Sequence, residues 1–171
     1  PGNKEAVIFS FQGEQVPFGP HILLEAEGRP GLVVGCEICE DIWAPDAPGI
    51  SHALAGATLL VNLSVSNETI GKDAYREMLV KSSSGKLIAG YVYCSGGEGE
   101  STQDLVFGGH DIIAENGTVL AQSKRFESQI VYGDIDVSRL LMERRRMNTF
   151  ACDTRLGYVV IPFSMQKEET R

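Results

Sequence analysis

The chain has 171 residues, 43% of them hydrophobic, which is enough for one domain with a sizeable core. Its 15 basic and 23 acidic residues give a net charge of -8, which argues against a nucleic-acid partner because phosphate contacts need a basic face. No apolar stretch approaches the about 20 residues of a membrane helix, and no secretion signal opens the chain. We therefore predict a cytoplasmic protein without membrane contact.

The first part of the chain predicts strands separated by turns. Two prolines and a glycine between residues 15 and 20 predict a turn there, because they exclude a central strand. A short helix over residues 50–55 is expected to end at Gly56, and residues 45–48 before it form a loop. Strands are predicted over residues 7–11, 21–27, 32–38 and 58–63.

The second part alternates between helix and strand before it returns to a hairpin. An amphipathic helix is predicted over residues 73–86, and Asp136 or Ser138 is expected to cap a final helix that ends near residue 147. Asn116-Gly117 is a strong hairpin signal. Strands are predicted over residues 88–94, 110–114, 118–122 and 129–135. This pattern indicates an α/β domain with a mixed sheet.

The most informative segment is residues 35–43, which read GCEICEDIW. An apolar strand runs into Cys39, and Glu40 and Asp41 suit the first turn of a helix, where carboxylates meet the positive end of the helix dipole. Cys39 is therefore predicted at a strand-to-helix elbow, in the open position that a nucleophile requires. Because its acidic neighbours disfavour a thiolate, such a nucleophile needs a positively charged partner.

Five short motifs follow one another in the chain. They are CEDIW at 39–43, ALAGAT at 53–58, NLS at 62–64, GEGEST at 97–102 and GGH at 108–110. In this order they closely resemble the glutaminase domain of glutamine-dependent NAD synthetases, in the nitrilase (carbon-nitrogen hydrolase) superfamily. The resemblance covers about residues 7–150 and implies a nitrilase-like α-β-β-α sandwich with mixed sheets. Part of the second sheet would come from residues upstream of Pro1, so we expect an incomplete core.

The resemblance implies that Cys39 attacks the side-chain amide of glutamine, releases ammonia and forms a thioester. It places Ser66 and Lys72 where the family binds the substituents on the α-carbon of glutamine, and Glu40 in the pocket wall. Lys72 departs from the arginine that is also used there, and a lysine cannot make the same bidentate clamp. The family's glutamate base and oxyanion lysine lie upstream of the cysteine and have no counterpart here, so the isolated chain is expected to be inactive.

The expected partners are glutamine, the remaining N-terminal part of the domain and a separate synthetase domain, within a homo-oligomer. No cofactor is expected in this domain; ATP, Mg and deamido-NAD would belong to the synthetase domain. Residues 1–150 are interpreted as a partial glutaminase domain, and residues 151–171 as a tail that begins the linker to the synthetase domain.

Other interpretations of these residues stay open at this stage. Cys36 and Cys39 spell C-x-x-C, but a structural zinc needs two further ligands, and a lone cysteine is often a buried inert thiol. The glycine-rich loop 96–99 lacks the lysine of a phosphate loop and carries acidic residues, which favours an interface role. The basic run 144–146 suits a solvated helix face better than an anion site. None of His21, His52 and His110 has a supporting protease motif.

Two rival functions remain. One is another nitrilase-type amidase acting on a different amide, which competition by glutamine analogues would separate from a glutaminase. The other is a non-catalytic oligomeric binding module on the same scaffold.

Overall fold

The computed structural model describes residues 5–100, 103–150 and 155–165. In these ranges a seven-stranded mixed sheet has the strand order β8-β7-β6-β5-β4-β3-β9, and β1 and β2 form a separate hairpin. No helix there combines the length and apolar character needed to cross a bilayer. The helices are α1 (Pro48–Leu54), α2 (Lys72–Leu87) and α3 (Val137–Arg146). The strands are β1 (Val7–Phe11), β2 (Glu14–Phe18), β3 (Ile22–Glu27), β4 (Val33–Ile38), β5 (Leu59–Ser64), β6 (Gly90–Ser95), β7 (Ile112–Glu115), β8 (Thr118–Gln122) and β9 (Val159–Ser164).

The centre of the sheet is parallel and its flanks are mixed. β4 pairs parallel with β5, and β5 with β6, while α1 and α2 provide the crossovers between them. β3 and β7 pair antiparallel with β4 and β6, which makes the sheet mixed as the sequence predicts. The carboxyl ends of the three central strands therefore meet at one edge, where α/β proteins build their ligand sites.

The two faces of the sheet differ sharply in burial. Glu37, Leu60 and Tyr91 point toward the helices and are buried. Their neighbours point to the opposite face, which we call the open face, where Ile38 is 67% and Leu63 is 61% exposed. The described residues thus build one large sheet with helices on one side, and they do not form the second sheet of the predicted sandwich.

The predicted turn over residues 15–20 is wrong, because these residues mostly belong to β2. The turn lies earlier, at Gln12 and Gly13, and both have positive φ angles of 52° and 85°. Such a two-residue turn matches the twist of a hairpin. Pro17, paired with Ile8, is tolerated because a two-stranded hairpin consists of edge strands.

The predicted strand over residues 129–135 is also wrong, and β9 takes a place in the sheet that the sequence did not predict. Residues 129–135 have no regular structure. A methyl group at Gly90 would lie 2.8 Å from Ile135 Cδ1, so the segment crosses the face of the sheet and does not extend its edge. β9 instead pairs parallel with β3, from Ile22↔Val159 to Glu27↔Ser164. The strand lies inside the predicted tail; residues 151–154 and 166–171 are outside the described ranges.

The basic run 144–146 is not a uniformly solvated helix face, because Arg144 is buried. Its guanidinium donates to the carbonyl oxygens of Ala57 at 2.7 Å, Leu87 at 3.0 Å and Ile88 at 3.0 Å. It also lies 4.7 Å from the ring centroid of Phe150. α3 is thereby fastened to the end of the sheet where β5 and β6 begin, opposite the edge where these strands end.

Replacing Arg144 with Met should lower the free energy of unfolding by about 3 kcal/mol, because several buried carbonyls lose their donor. Equilibrium unfolding in urea measures this change. Arg145 is exposed beside it, so Arg145→Met is the matched control and should change stability by less than about 0.5 kcal/mol. Equal effects of the two substitutions would contradict the anchoring role of Arg144.

Candidate active site

Cys39 lies at a sharp bend directly after β4, as the sequence predicts. It opens a 3₁₀ turn over Cys39–Trp43 and has a φ angle of 51°, a left-handed conformation that is uncommon for a residue with a side chain. Strained residues of this kind persist only where their surroundings hold them, and they cluster at functional sites. The turn leaves the cysteine half-exposed at the carboxyl edge of the sheet.

Two polar side chains hold this bend. The Asp41 carboxylate accepts a hydrogen bond from the Ile38 amide at 2.7 Å and closes the turn from within. The Asn62 side chain, buried on the neighbouring strand, donates to the Cys39 carbonyl oxygen at 3.4 Å. The backbone on both sides of Cys39 is therefore tied to an adjacent group.

Beneath the bend lies a buried carboxylate, Glu37, which is 2% exposed. Its two oxygens accept hydrogen bonds from the Gly49 amide and the Tyr91 hydroxyl, both at 2.5 Å. Burial raises the pKa of Glu37, although these two hydrogen bonds act in the opposite direction. Glu37 joins β4, α1 and β6 directly under the strand end that carries Cys39.

All four residues that the sequence nominated for the site line one cleft. Cys39 and Glu40 enter it from the elbow after β4, and Ser66 and Lys72 enter from the segment between β5 and α2. The cleft holds about 350 Å³, and Trp43, Val65 and Asn67 complete its lining. Of the described residues that line it, only Lys72 is basic. The placement fits the predicted roles, which remain predictions.

Lys72 is held in a defined position at the start of α2. Its ammonium group donates to the Asn67 side-chain oxygen at 2.6 Å and lies 5.7 Å from the ring centroid of Trp43. An ammonium over an aromatic face is attracted by the ring quadrupole. Asn67 was not singled out by the sequence; its position one residue after Ser66, in a polar segment following a strand, was the available signal.

The remaining candidates lie elsewhere. Cys36 is exposed on the open face and borders a different groove from Cys39, although both thiols are free. None of the three histidines, all of them described, lines the cleft. His52 is buried between the Cys36 carbonyl and the Tyr158 hydroxyl, at 3.1 Å and 3.0 Å. The loop 96–99 borders a separate cleft, which Ser95 and Glu127 also line. The interface role of this loop remains a prediction.

Because the pKa of Glu37 is raised in the folded state, the native protein binds more protons than the unfolded chain between the two pKa values. The contribution of Glu37 to stability therefore falls as pH rises through that interval. Glu37→Gln removes this titration, so the variant should gain stability relative to the parent as pH increases. Urea unfolding of both proteins below and above the interval measures the difference, and a pH-independent difference would contradict the buried, titrating carboxylate.

Comparisons with known proteins agree with this architecture. The glutamine-dependent NAD(+) synthetase of Mycobacterium tuberculosis is 45% identical over 152 residues, which cover 88% of this chain and 22% of that protein. A crystal structure of a glutamine-dependent NAD(+) synthetase from Cytophaga hutchinsonii superposes with a TM-score of 0.58 at 28% identity, covering 72% of this chain and 19% of the other.

The fold is shared more widely. Nit3 of Saccharomyces cerevisiae, a member of branch 10 of the nitrilase superfamily, gives a TM-score of 0.59 at 21% identity over 68% of this chain and 42% of its own. The chain spans about a fifth of the length of the curated relatives it matches, such as the Mycobacterium tuberculosis protein. Residues 1–141 match the carbon-nitrogen hydrolase family, and the chain belongs to that family.

Proposed function

We propose that this chain is part of the glutaminase domain of a glutamine-dependent NAD synthetase, and that Cys39 is its nucleophile. The observation that carries the proposal is the cleft in which Cys39, Glu40, Ser66 and Lys72 meet at the carboxyl edge of the sheet. The 45% identity to a protein of that name supports the choice of substrate.

The reaction proceeds through a covalent intermediate. The Cys39 thiolate adds to the side-chain amide carbon of glutamine, the carbon-nitrogen bond breaks, and the nitrogen takes up a proton and leaves as ammonia. Water then adds to the thioester, and glutamate leaves as the thiolate re-forms. The thioester intermediate divides amide hydrolysis into two steps, each with a lower barrier.

The cleft supplies opposite charges for the two ends of an amino acid. In this proposal Lys72 pairs with the α-carboxylate and Glu40 with the α-ammonium group; that both line the cleft supports these roles. The Ser66 hydroxyl offers a hydrogen bond that fixes orientation. Asn67 and Trp43 hold Lys72 in place and thereby set where the carboxylate can lie.

The general base and the oxyanion donor would come from residues outside this chain, so the chain alone is expected not to hydrolyse glutamine. Losing each such group costs about 100-fold or more in rate. In the whole protein, ammonia would pass to a synthetase domain that uses ATP, Mg and deamido-NAD. A homo-oligomeric cytoplasmic enzyme is part of the same proposal.

In the complete protein, Cys39→Ala should lower glutamine-dependent activity by more than about 1,000-fold, because no covalent intermediate can form. Synthesis of NAD from added ammonia should persist. Ammonia release from glutamine and NAD formation are measured side by side. Cys36→Ala, which removes a thiol outside the cleft, is the control and should retain activity. Glutamine hydrolysis by the Cys39 variant would contradict the nucleophile assignment, and indifference to glutamine analogues would favour a different amide.

Lys72→Gln should raise the KM for glutamine about 10- to 100-fold with a smaller change in kcat, because a charge-assisted hydrogen bond to the carboxylate is lost. Steady-state kinetics in glutamine measure this change. Lys86→Gln alters an exposed lysine in the last turn of the same helix and should leave both constants unchanged. An unchanged KM in the Lys72 variant would exclude it from carboxylate binding.

A further inference from the structure

A fully buried arginine lies behind the wall of the cleft. Arg76 belongs to α2, one turn after Lys72, and its side chain is 0% exposed. Arginine is almost never fully buried unless it is paired. The mechanism proposed above does not use it, so its burial needs another explanation.

Arg76 pairs with the segment that carries Ser66 and Lys72. Its Nη2 lies 2.6 Å from Glu68 Oε1, and the Glu68 side chain is itself only 6% exposed. Glu68 stands two residues after Ser66, and its backbone amide donates to the Val106 carbonyl at 2.7 Å. The ion pair therefore fastens the middle of the 66–72 segment to the helix that follows it.

The other side of the guanidinium reaches a second loop. Arg76 Nη1 lies 3.1 Å from His110 Nδ1, and His110 Nε2 lies 3.2 Å from Gln122 Oε1. Arginine can only donate, so Nδ1 accepts, and the ring proton sits on Nε2, where it donates to Gln122. Arg76 thus connects the 66–72 segment to His110 and, through it, to β8.

Arg76 also contacts the ring of Tyr93 on β6. Its guanidinium carbon is 5.9 Å from the ring centroid of Tyr93. The Tyr93 hydroxyl donates to Ser64 Oγ at 2.7 Å, at the end of the strand that leads to Ser66. The guanidinium therefore contacts Glu68, which lies between Ser66 and Lys72, and also Tyr93, which is hydrogen-bonded to the strand that leads to Ser66.

The start of α2 has no side-chain cap that would fix the end of the 66–72 segment. The residue before α2 is Gly71, with a φ angle of 78°. Glu68 Oε2 also lies 3.7 Å from Arg125 Nη1, but this contact is longer and the Arg125 side chain is 40% exposed. Removal of Arg76 would leave Glu68 with this weaker pairing, and removal of Glu68 would leave the buried Arg76 charge without its carboxylate. In either case the segment would rearrange to hydrate the remaining charge. Because Ser66 and Lys72 flank Glu68, such a rearrangement would move both of them relative to Cys39.

Resting on the proposed function, we propose that Arg76 is a positioning residue for glutamine binding. It holds Glu68, and through Glu68 it fixes the distance of Ser66 and Lys72 from Cys39. It does not touch the substrate.

The experiment compares Arg76→Gln, Arg76→Lys, Glu68→Gln and the Arg76→Gln/Glu68→Gln double variant in the complete protein. Displacement of binding groups should raise the KM for glutamine about 10- to 100-fold. The value of kcat, calculated per enzyme molecule whose Cys39 reacts with iodoacetamide, should change much less. Iodoacetamide, which needs no amino-acid pocket, should alkylate Cys39 at the parental rate, and protection by glutamine should shift to higher concentration. The effects of the two substitutions should be less than additive in the double variant, because both break the contact between Arg76 and Glu68.

Matched control variants come from the same helix. Lys81 is exposed and pairs with Glu77, with 3.7 Å between Nζ and Oε1, so Lys81→Gln should leave KM unchanged. Arg76→Lys keeps a positive charge beside Glu68, so its KM for glutamine should lie between those of the parent and Arg76→Gln. If Arg76→Gln does not fold, Arg76→Lys and Glu68→Gln together test the proposal.

Glutamine hydrolysis with an unchanged KM in the folded variants would overturn the positioning role and leave the proposed function intact. A loss confined to kcat or to the folded fraction would likewise overturn it, since that is what a structural role alone predicts. Absence of glutamine hydrolysis in the unsubstituted enzyme would overturn the proposed function and the positioning role with it.

Discussion

The pairing of β4 with β5 is the constraint on which the candidate site depends. Parallel pairing places Ile38 opposite Leu63, so both strands end at the same level of the sheet. Cys39 follows the first strand directly, and the segment with Ser66 follows the second. A change of register by one residue would turn the side chains of one strand to the other face. The cleft therefore depends first on this ladder of backbone hydrogen bonds. The contacts of Lys72 with Asn67 and Trp43 then fix one of its side chains.

The layer under this edge is more polar than a sheet core usually is. Glu37, Asn62, Tyr91 and Tyr93 all face the helices, and each is 2% exposed or less. Buried polar groups are costly unless they are paired, and pairing gives them direction. The Tyr91 hydroxyl donates a hydrogen bond to Glu37, and the Tyr93 hydroxyl donates one to Ser64. The strand ends that carry the site are therefore fixed by specific partners, whereas apolar packing alone would define their positions less sharply.

The sequence predicted those parts of the molecule whose signals are local. The elbow at Cys39 follows from an apolar strand running into acidic residues, and the β7–β8 hairpin follows from Asn116-Gly117. β9 has no comparable local signal, because its partner, β3, lies near the other end of the chain and Pro162 is unfavourable within a strand. The burial of Arg144 has none either, since the carbonyls that accept its hydrogen bonds come from several separate segments.

Within the candidate site, too, only the residues with a local sequence signal could be predicted. Cys39, Glu40, Ser66 and Lys72 were nominated from short motifs, and the structure brings all four to one cleft. The supporting residues could not be nominated in this way. Arg76 is an ordinary polar position in an amphipathic pattern, and its burial becomes visible only when α2, the 66–72 segment and the loop with His110 are assembled.

The open face explains how recognition and chemistry can be separated in such a protein. Ile38 and Leu63 stand exposed at the ends of β4 and β5, beside the elbow and on the side of the sheet away from the helices. Under the proposed function, a base and an oxyanion donor must approach Cys39 from a direction that the helices and the 66–72 segment do not occupy. The open face provides that direction, and its apolar surface gives a further polypeptide layer a hydrophobic reason to cover it. Substrate-binding groups would then come from the described cleft and proton-transfer groups from the covering layer, so catalysis would require that the two layers pack together.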